Sequence, residues 1–298
     1  MPPTLEGFEA VTVPAGQWDA RCLLGGRPDG PLALLLHGFP DSPATWRHVA
    51  PVLARRGWRV AMPWMPHYGR TIPARGGTGK VHPRDLAAFA VALRRSLRPH
   101  GTAVVVGHDW GAITANQVTA TDADAFNRAV TLAVAPLSGE VFTSLRGRQI
   151  AASAYAAALA VPGGWRTIAL GNWRLLETLW RRWSPGHLPD EVDRGGWKEA
   201  LAHDGGRGAA GYYRAMLPAL ARRSWPGQGE QVPQIPTLHL AGALDGCVTI
   251  GMQRRGGEGL ADHSRMVELP GAGHFLHLEE PDRVNTEIVD WLDQARIS

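Results

Sequence analysis

Along this chain, short uninterrupted apolar runs alternate with longer stretches whose apolar residues recur at helical spacing. The runs are PLALLLHG (31–38), WRVAMP (58–63), TAVVVGHD (102–109), RAVTLAV (128–134), PTLHLAG (236–242) and RMVELPG (265–271). Runs this short and this continuous predict strands buried on both faces. The intervening stretches 44–56, 85–98, 111–120 and 281–295 carry the helical period. Strand and helix in alternation predict an α/β fold, a parallel sheet with helices on both faces. Near the start, EAVTV and WDARCLL flank PAGQ, which predicts an antiparallel hairpin at one sheet edge.

Between residues 137 and 225 the rhythm stops. The segment reads as helical throughout, is rich in Ala and Arg, and holds Trp165, Trp173, Trp180, Trp183, Trp197 and Trp225. Its breaks are VPGG, SPGH and DGGRG. The expectation is a helical insertion after the sixth strand, lying over the sheet's C-terminal edge. SWPGQGEQVPQ (224–234) then reads as the linker back to the core. The division is therefore residues 1–136 and 226–298 for the core and 137–225 for the insertion.

Composition narrows the class. A hydrophobic content of 44% in 298 residues is that of a globular chain with one large core. No apolar run approaches the roughly 20 residues needed to cross a bilayer, and MPPTLEGFEAVTVPAG lacks the pattern of a secretion signal. The expectation is a cytoplasmic protein without a membrane span. Cys22 and Cys247 form no metal-spaced motif and read as reduced packing thiols; no metal or other cofactor is expected. The net charge of +4 comes from arginines spread along the chain, with only Lys80 and Lys198 as lysines. No long basic run accumulates, so nucleic acid is not an expected partner.

Candidate chemistry sits where strands end. In VVVGHDWGAITANQ a valine strand turns into a helix through Gly-His-Asp-Trp-Gly, the G-x-nucleophile-x-G elbow with Asp109 at its apex. Gly107 and Gly111 leave room for the sharp turn, and the helix N-terminus favours an ionised carboxylate. Alone, the pattern is weak, because Asp is a common helix cap. Three further strand ends give it weight. LLLHGFPD (34–41) can aim the N–H of Phe39 at the elbow, where with the N–H of Trp110 it makes an oxyanion hole. His37 reads as a brace for that loop, and His37, Phe39, Pro40 and Trp110 together read as pocket wall. LHLAGALDGCV places Asp245, and ELPGAGHFLHLEEP places His274, each just beyond a strand and roughly one strand–helix–strand unit apart. Nucleophile, acid and base in that order follow triad logic.

With these residues the chain resembles the α/β-hydrolase superfamily, in the branch with an aspartate nucleophile. HGFPDSPATWRHVAPVLARRGWRV, GHDWGA, LDG and GAGHFLHLEEP look like the motifs of epoxide hydrolases and haloalkane dehalogenases, over most of 30–136 and 235–295. The resemblance implies a mostly parallel eight-stranded sheet with a helical cap inserted after the sixth strand. It departs at WMPHYGRT (64–71), where Trp64 and Pro66 replace the acid and arginine of the family's Asp-x-Arg-Gly-Tyr-Gly-x-Ser run. That puts the local loop packing in doubt more than the chemistry; His67 reads as a surface or supporting residue.

An aspartate nucleophile selects the electrophile. Attack on an acyl group gives an anhydride, whereas attack on a saturated carbon gives an ester that His274, oriented by Asp245, can hydrolyse with water. The leaving group is then an epoxide oxygen or a halide. An epoxide oxygen needs an acidic O–H donor. Tyr155 in SAYAAALAVPG and Tyr213 in GYYRAM resemble the two cap segments that carry the tyrosine pair of epoxide hydrolases, with Tyr212 as the competitor to Tyr213. A halide needs N–H donors. Trp110 serves both chemistries, and Phe39 stands where dehalogenases often carry Asn. The reading is hydrolysis of a small apolar or aromatic epoxide to a diol. A haloalkane dehalogenase with the same triad, and a non-catalytic sensor on the same fold, are the alternatives. Self-association as a homodimer stays open.

Overall fold

In the computed structural model, which describes residues 5–137, 147–222 and 233–293, the apolar runs become strands of one sheet. β1 (Phe8–Ala15) and β2 (Trp18–Gly26) form the expected antiparallel hairpin, Ala15 opposite Trp18. β3 (Leu32–Leu36), β4 (Arg59–Pro63), the two-residue β5 (Ile72–Pro73), β6 (Ala103–His108), β7 (Arg128–Leu132), β8 (Thr237–Gly242) and β9 (Arg265–Leu269) follow. The order across the sheet is β1-β2-β4-β3-β6-β7-β8-β9, with β5 pairing β2 off this path. The eight strands on the path match the expected number; β5 is a ninth, just beyond the departing loop. From β4 to β9 every pairing is parallel. All residues of β3, β6 and β8 are buried, as strands covered on both faces require.

Helices α1 (Ala50–Arg55), α2 (Pro83–Leu97) and α3 (Trp110–Thr121) accompany the first half of the sheet. Between β7 and β8 lie α4 (Arg148–Ala152), α5 (Ala154–Ala160), α6 (Arg166–Trp183), α7 (Glu191–Leu201) and α8 (Arg207–Arg222). α6 is broken at Gly171, Asn172 and Trp173, which adopt left-handed backbone. α9 (Ile250–Gly257), α10 (Leu276–Glu279) and α11 (Pro281–Asp293) complete the chain. Most of the expected linker 224–234, and Trp225, lie outside the described residues.

The chain leaves β3 toward β4 on one side and reaches β6 on the other. The sheet order therefore reverses between β3 and β6. In open α/β sheets such a reversal leaves a crevice at the strands' carboxyl ends. The elbow after β6 and the Phe39 turn after β3 flank that crevice, and the Asp245 and His274 loops follow β8 and β9 on the same edge.

The end of α6 is fastened to these loops. The carbonyl of Trp183 accepts from the backbone N–H of Gly246 at 3.1 Å and of His274 at 3.1 Å. Ser184 Oγ accepts from Phe275 N at 3.0 Å and donates to Glu279 at 2.7 Å. The Trp180 ring, fully buried, stacks on Phe275 with centroids 3.6 Å apart and planes 9° from parallel. Trp180→Ala removes that stacked ring and leaves a cavity, so it is expected to cost about 3–5 kcal/mol of stability. Denaturant unfolding of the two chains checks this, and a difference below about 1 kcal/mol would mean the site collapses freely.

Candidate active site

The turn between β6 and α3 holds Asp109 at φ 52°, ψ −114°, a region that L-residues occupy rarely and only under constraint. The constraint is close packing. A Cβ on Gly107 would strike the carbonyl of Gly111, and one on Gly111 would strike that of Leu36. The elbow can therefore form only with glycine at both places. A Cβ on Gly38 would strike the Asp109 carboxylate itself. That contact lets the Phe39 turn close in, and Phe39 N–H donates to Asp109 Oδ1 at 2.8 Å.

His274 lies between two carboxylates. Its Nδ1 is 2.9 Å from Asp245 Oδ2, and its Nε2, with no hydrogen-bond partner, is 3.6 Å from Asp109 Oδ2. Nδ1 therefore carries a proton donated to Asp245, and Nε2 faces Asp109. Asp245 is itself well held. Its Oδ1 accepts from the N–H groups of Cys247 at 2.7 Å and Val248 at 2.9 Å, and its Oδ2 accepts from the Gln253 amide at 3.1 Å. Burial works against a charged imidazole at His274, but the carboxylates of Asp245 and Asp109 outweigh it and raise its pKa above the ordinary value. Burial also works against a charged Asp109. The His274 ring, His108 and the Phe39 N–H outweigh it, and the carboxyl titrates below its usual range. At neutral pH the pair is an ion pair in a nearly dry site.

Asp109 opens onto a cavity of about 370 Å³ with a wall dominated by apolar side chains, among them Ile113, Val134, Leu137, Ile150, Met216 and Met252. Tyr155 from α5 and Tyr213 from α8 line the same cavity, their rings 5.5 Å apart. The Tyr213 hydroxyl is buried without a partner; that of Tyr155 is 3.5 Å from Cys247 Sγ. Burial first, and then the charge of Asp109 among other neighbours, keeps both phenols protonated far above neutral pH. Tyr212 is turned away and donates to the carbonyl of Pro66 at 2.7 Å, so Tyr213 is the one that faces the site.

Not every expected wall residue reaches the cavity. Trp110 does; His37, Phe39 and Pro40 stand behind it. His37 is fully buried and joins two loops, with Nδ1 donating to Gly38 O at 2.9 Å and Nε2 accepting from Met65 N–H at 3.0 Å. His67 sits outside the site, against Trp18 and bonded to Gly79 O at 2.8 Å. In the departing loop Trp64 donates to Glu199 at 2.8 Å. Among the described residues, no tryptophan between β7 and β8 lines the cavity: Trp180, Trp183 and Trp197 are buried packing residues. Cys247, expected only to pack, lines the cavity, while Gln253 had no signal in the sequence. Among the described residues two groups have metal-ligand composition, Asp109/Cys247/His274 and Asp41/His108/His277. The first is the Asp109–His274 pair described above together with Cys247.

Comparison with known proteins agrees with the fold. A family described as alpha/beta hydrolase fold matches residues 31–281, and the chain belongs to it. An epoxide hydrolase of Caballeronia sordidicola is 31% identical over 88% of this chain and 88% of that protein. Epoxide hydrolase A of Mycobacterium tuberculosis is 26% identical over 91% and 93%. The structure of an epoxide hydrolase from an endophytic Streptomyces superposes with a TM-score of 0.78 at 26% identity, over 98% of this chain and 97% of that one. No helix among the described residues is long and apolar enough to cross a membrane.

The electrostatics predict how His274 titrates. In the free protein its ring keeps a second proton above the ordinary value of 6.5. Asp109→Asn removes one of the two carboxylates and is expected to lower the midpoint. Nitrogen NMR of histidine-labelled protein follows both, and a wild-type midpoint at or below about 6.5 would contradict the arrangement.

Proposed function

We propose that this chain is an epoxide hydrolase that opens its substrate through an ester on Asp109, with residues 137–225 acting as a cap that supplies the acid. The observation that carries the reading is the pair of protonated phenols, Tyr155 and Tyr213, in the same apolar cavity as an ionised aspartate. Similarity to named epoxide hydrolases over most of the chain supports it.

Asp109 Oδ1 is pinned by Phe39 N–H, so Oδ2 is the attacking oxygen. A bond forms from Oδ2 to one epoxide carbon as that carbon's bond to the ring oxygen breaks. The electron pair goes to the oxygen, which takes a proton from a tyrosine. An alkoxide is far more basic than a phenolate of pKa about 10, so this transfer is downhill as the ring opens. The ester has lost the charge of Asp109. One of the two carboxylates that raised His274 is then gone, and the imidazole releases its extra proton more readily. Neutral His274 takes a proton from water at Nε2 while the oxygen attacks the ester carbonyl. The tetrahedral oxyanion forms on Oδ1, held by the N–H groups of Phe39 and Trp110. Collapse breaks the bond from the carbonyl carbon to Oδ2, which leaves as part of the diol with the proton of the newly added hydroxyl and restores the Asp109 carboxylate beside a protonated His274. The proton that His274 gave up once the ester had formed goes to the phenolate, so epoxide and water give a diol with nothing left over. The apolar wall suits an apolar or aromatic epoxide.

A halide leaving group needs no proton, so the tyrosines separate this reading from a dehalogenase. Tyr213→Phe and Tyr155→Phe are each expected to slow ester formation by about ten- to a thousandfold, and the double variant to nearly abolish it. Single-turnover alkylation with a styrene-type epoxide measures this; wild-type rates in all three variants would remove the epoxide assignment. His274→Gln is expected to form the ester and then stall. Intact-protein mass should show a stable adduct on the peptide containing Asp109, and absence of an adduct in a variant that still binds substrate would sink the role given to His274.

A further inference from the structure

Behind Asp245 a line of buried polar side chains runs away from the cavity, through residues the reaction above does not use. Gln253 on α9 approaches Asp245 Oδ2 with its amide Nε2 at 3.1 Å and the carbonyl of Val248 with the same nitrogen at 2.8 Å. A carbonyl and an ionised carboxylate are both pure acceptors, so the amide group facing them must be the NH₂ end. Its Oε1 is then an acceptor, and His239 Nε2 lies 3.1 Å from it. His239 must donate from Nε2. Its ring is neutral, since burial pushes its pKa down to about 4 and the Gln253 hydrogen bond only partly offsets this. A neutral ring that donates from Nε2 accepts at Nδ1, where Thr131 Oγ is 2.9 Å away. Thr131, His239 and Gln253 are all fully buried. They come from β7, β8 and α9, three elements that meet beneath the Asp245 loop.

The donors therefore run in one direction: Thr131 hydroxyl to His239, His239 to Gln253, Gln253 to Asp245 Oδ2, the oxygen that also accepts from His274. We infer that Gln253 and His239 are positioning residues for the hydrolytic half of the reaction. They keep the acceptor aimed, so that His274 holds its proton at Nδ1 and leaves Nε2 to take one from water. Donors lined up in a low-dielectric interior polarise one another, which strengthens the hold on Asp245 Oδ2. The inference rests on the proposed roles of Asp109 and His274. The titratable groups that meet along the line are His239, Asp245 and His274; Arg254, beside Gln253, is turned outward to Glu268.

Two substitutions test it, with ester formation and ester hydrolysis timed separately in single turnovers. Gln253→Leu takes away the donor to a charged acceptor. Hydrolysis is expected to fall about ten- to hundredfold, and ester formation by much less. The low-field proton resonance of His274 Nδ1–H should shift or broaden away. Gln253→Glu keeps the shape. While protonated, the new carboxyl donates to Asp245 and accepts from His239 as the amide does. Once it ionises it repels Asp245, so hydrolysis is expected to lose rate as pH rises, giving an alkaline limb beyond any in the wild-type profile measured beside it. A group that only fills space would not produce that limb. If Gln253→Leu does not fold, the pH profile of Gln253→Glu decides alone: the limb supports the relay, and a wild-type profile overturns it. Equal losses in both half-reactions, or wild-type hydrolysis in a folded Gln253→Leu, also overturn it. A wild-type chain that never carries an ester would instead refute the proposed function. The Nδ1–H resonance would then judge the relay by itself, an unchanged signal in Gln253→Leu counting against it.

Discussion

The Asp109 carboxylate stands at the end of β6, 5% exposed, at the edge of an aliphatic cavity. An isolated charge there would be costly, and the carboxyl would take up a proton and cease to be a nucleophile. What prevents this is the attraction of His274 at 3.6 Å and the hydrogen bond from Phe39. His274 in turn is charged because Asp245 and Asp109 face its two nitrogens. The geometry of three strand ends thus answers one electrostatic requirement. The requirement also explains the glycines: the donors reach Asp109 only because Gly38, Gly107 and Gly111 allow the backbone to close around it.

The same pair gives one histidine two states in the proposed reaction. Before the ester forms there, a protonated His274 stabilises the charge of Asp109. Once the ester has formed that charge is gone, and the imidazole is less basic when it must act as a base. The change follows from alkylation itself and needs no movement of the loops. Rigidity is accordingly an advantage here, and the structure supplies it. The carbonyl of Trp183 receives hydrogen bonds from both the Asp245 and the His274 loops, and Trp180 clamps Phe275 next to the base. The end of α6, in the same run of helices as the tyrosine-bearing α5 and α8, is therefore fastened to the loops that carry Asp245 and His274.

The run of helices between β7 and β8 was visible in the sequence as a loss of strand rhythm, but the use of its aromatic residues was not. In the fold, Trp180, Trp183 and Trp197 are buried in packing, and the cavity wall is mostly aliphatic. Amphipathic spacing shows that a helix has an apolar face without showing whether that face meets a helix, a loop or a ligand. Tyr212 stayed a competitor to Tyr213 for the same reason: adjacent residues on a helix differ in direction by about 100°, and spacing alone leaves open which of them is turned to the site. Only the packing of α8 sent one hydroxyl to Pro66 and the other to the cavity.

What the sequence determined by itself was local and periodic. Buried parallel strands need continuous apolar runs, and a sharp strand-to-helix corner needs glycines around its apex. Both leave marks within a few residues, so the sheet, the elbow at Asp109 and the strand ends carrying Asp245 and His274 could all be read directly. What only the tertiary structure decided was which side chains meet across distant segments. Gln253 lies in an unremarkable helix and His239 in an apolar strand, and neither spacing nor composition marks them. They become partners of Asp245 because β7, β8 and α9 pack together beneath its loop. A hydrogen bond needs its two atoms within about 3 Å, and contact at that distance between remote segments is a property of the folded chain alone.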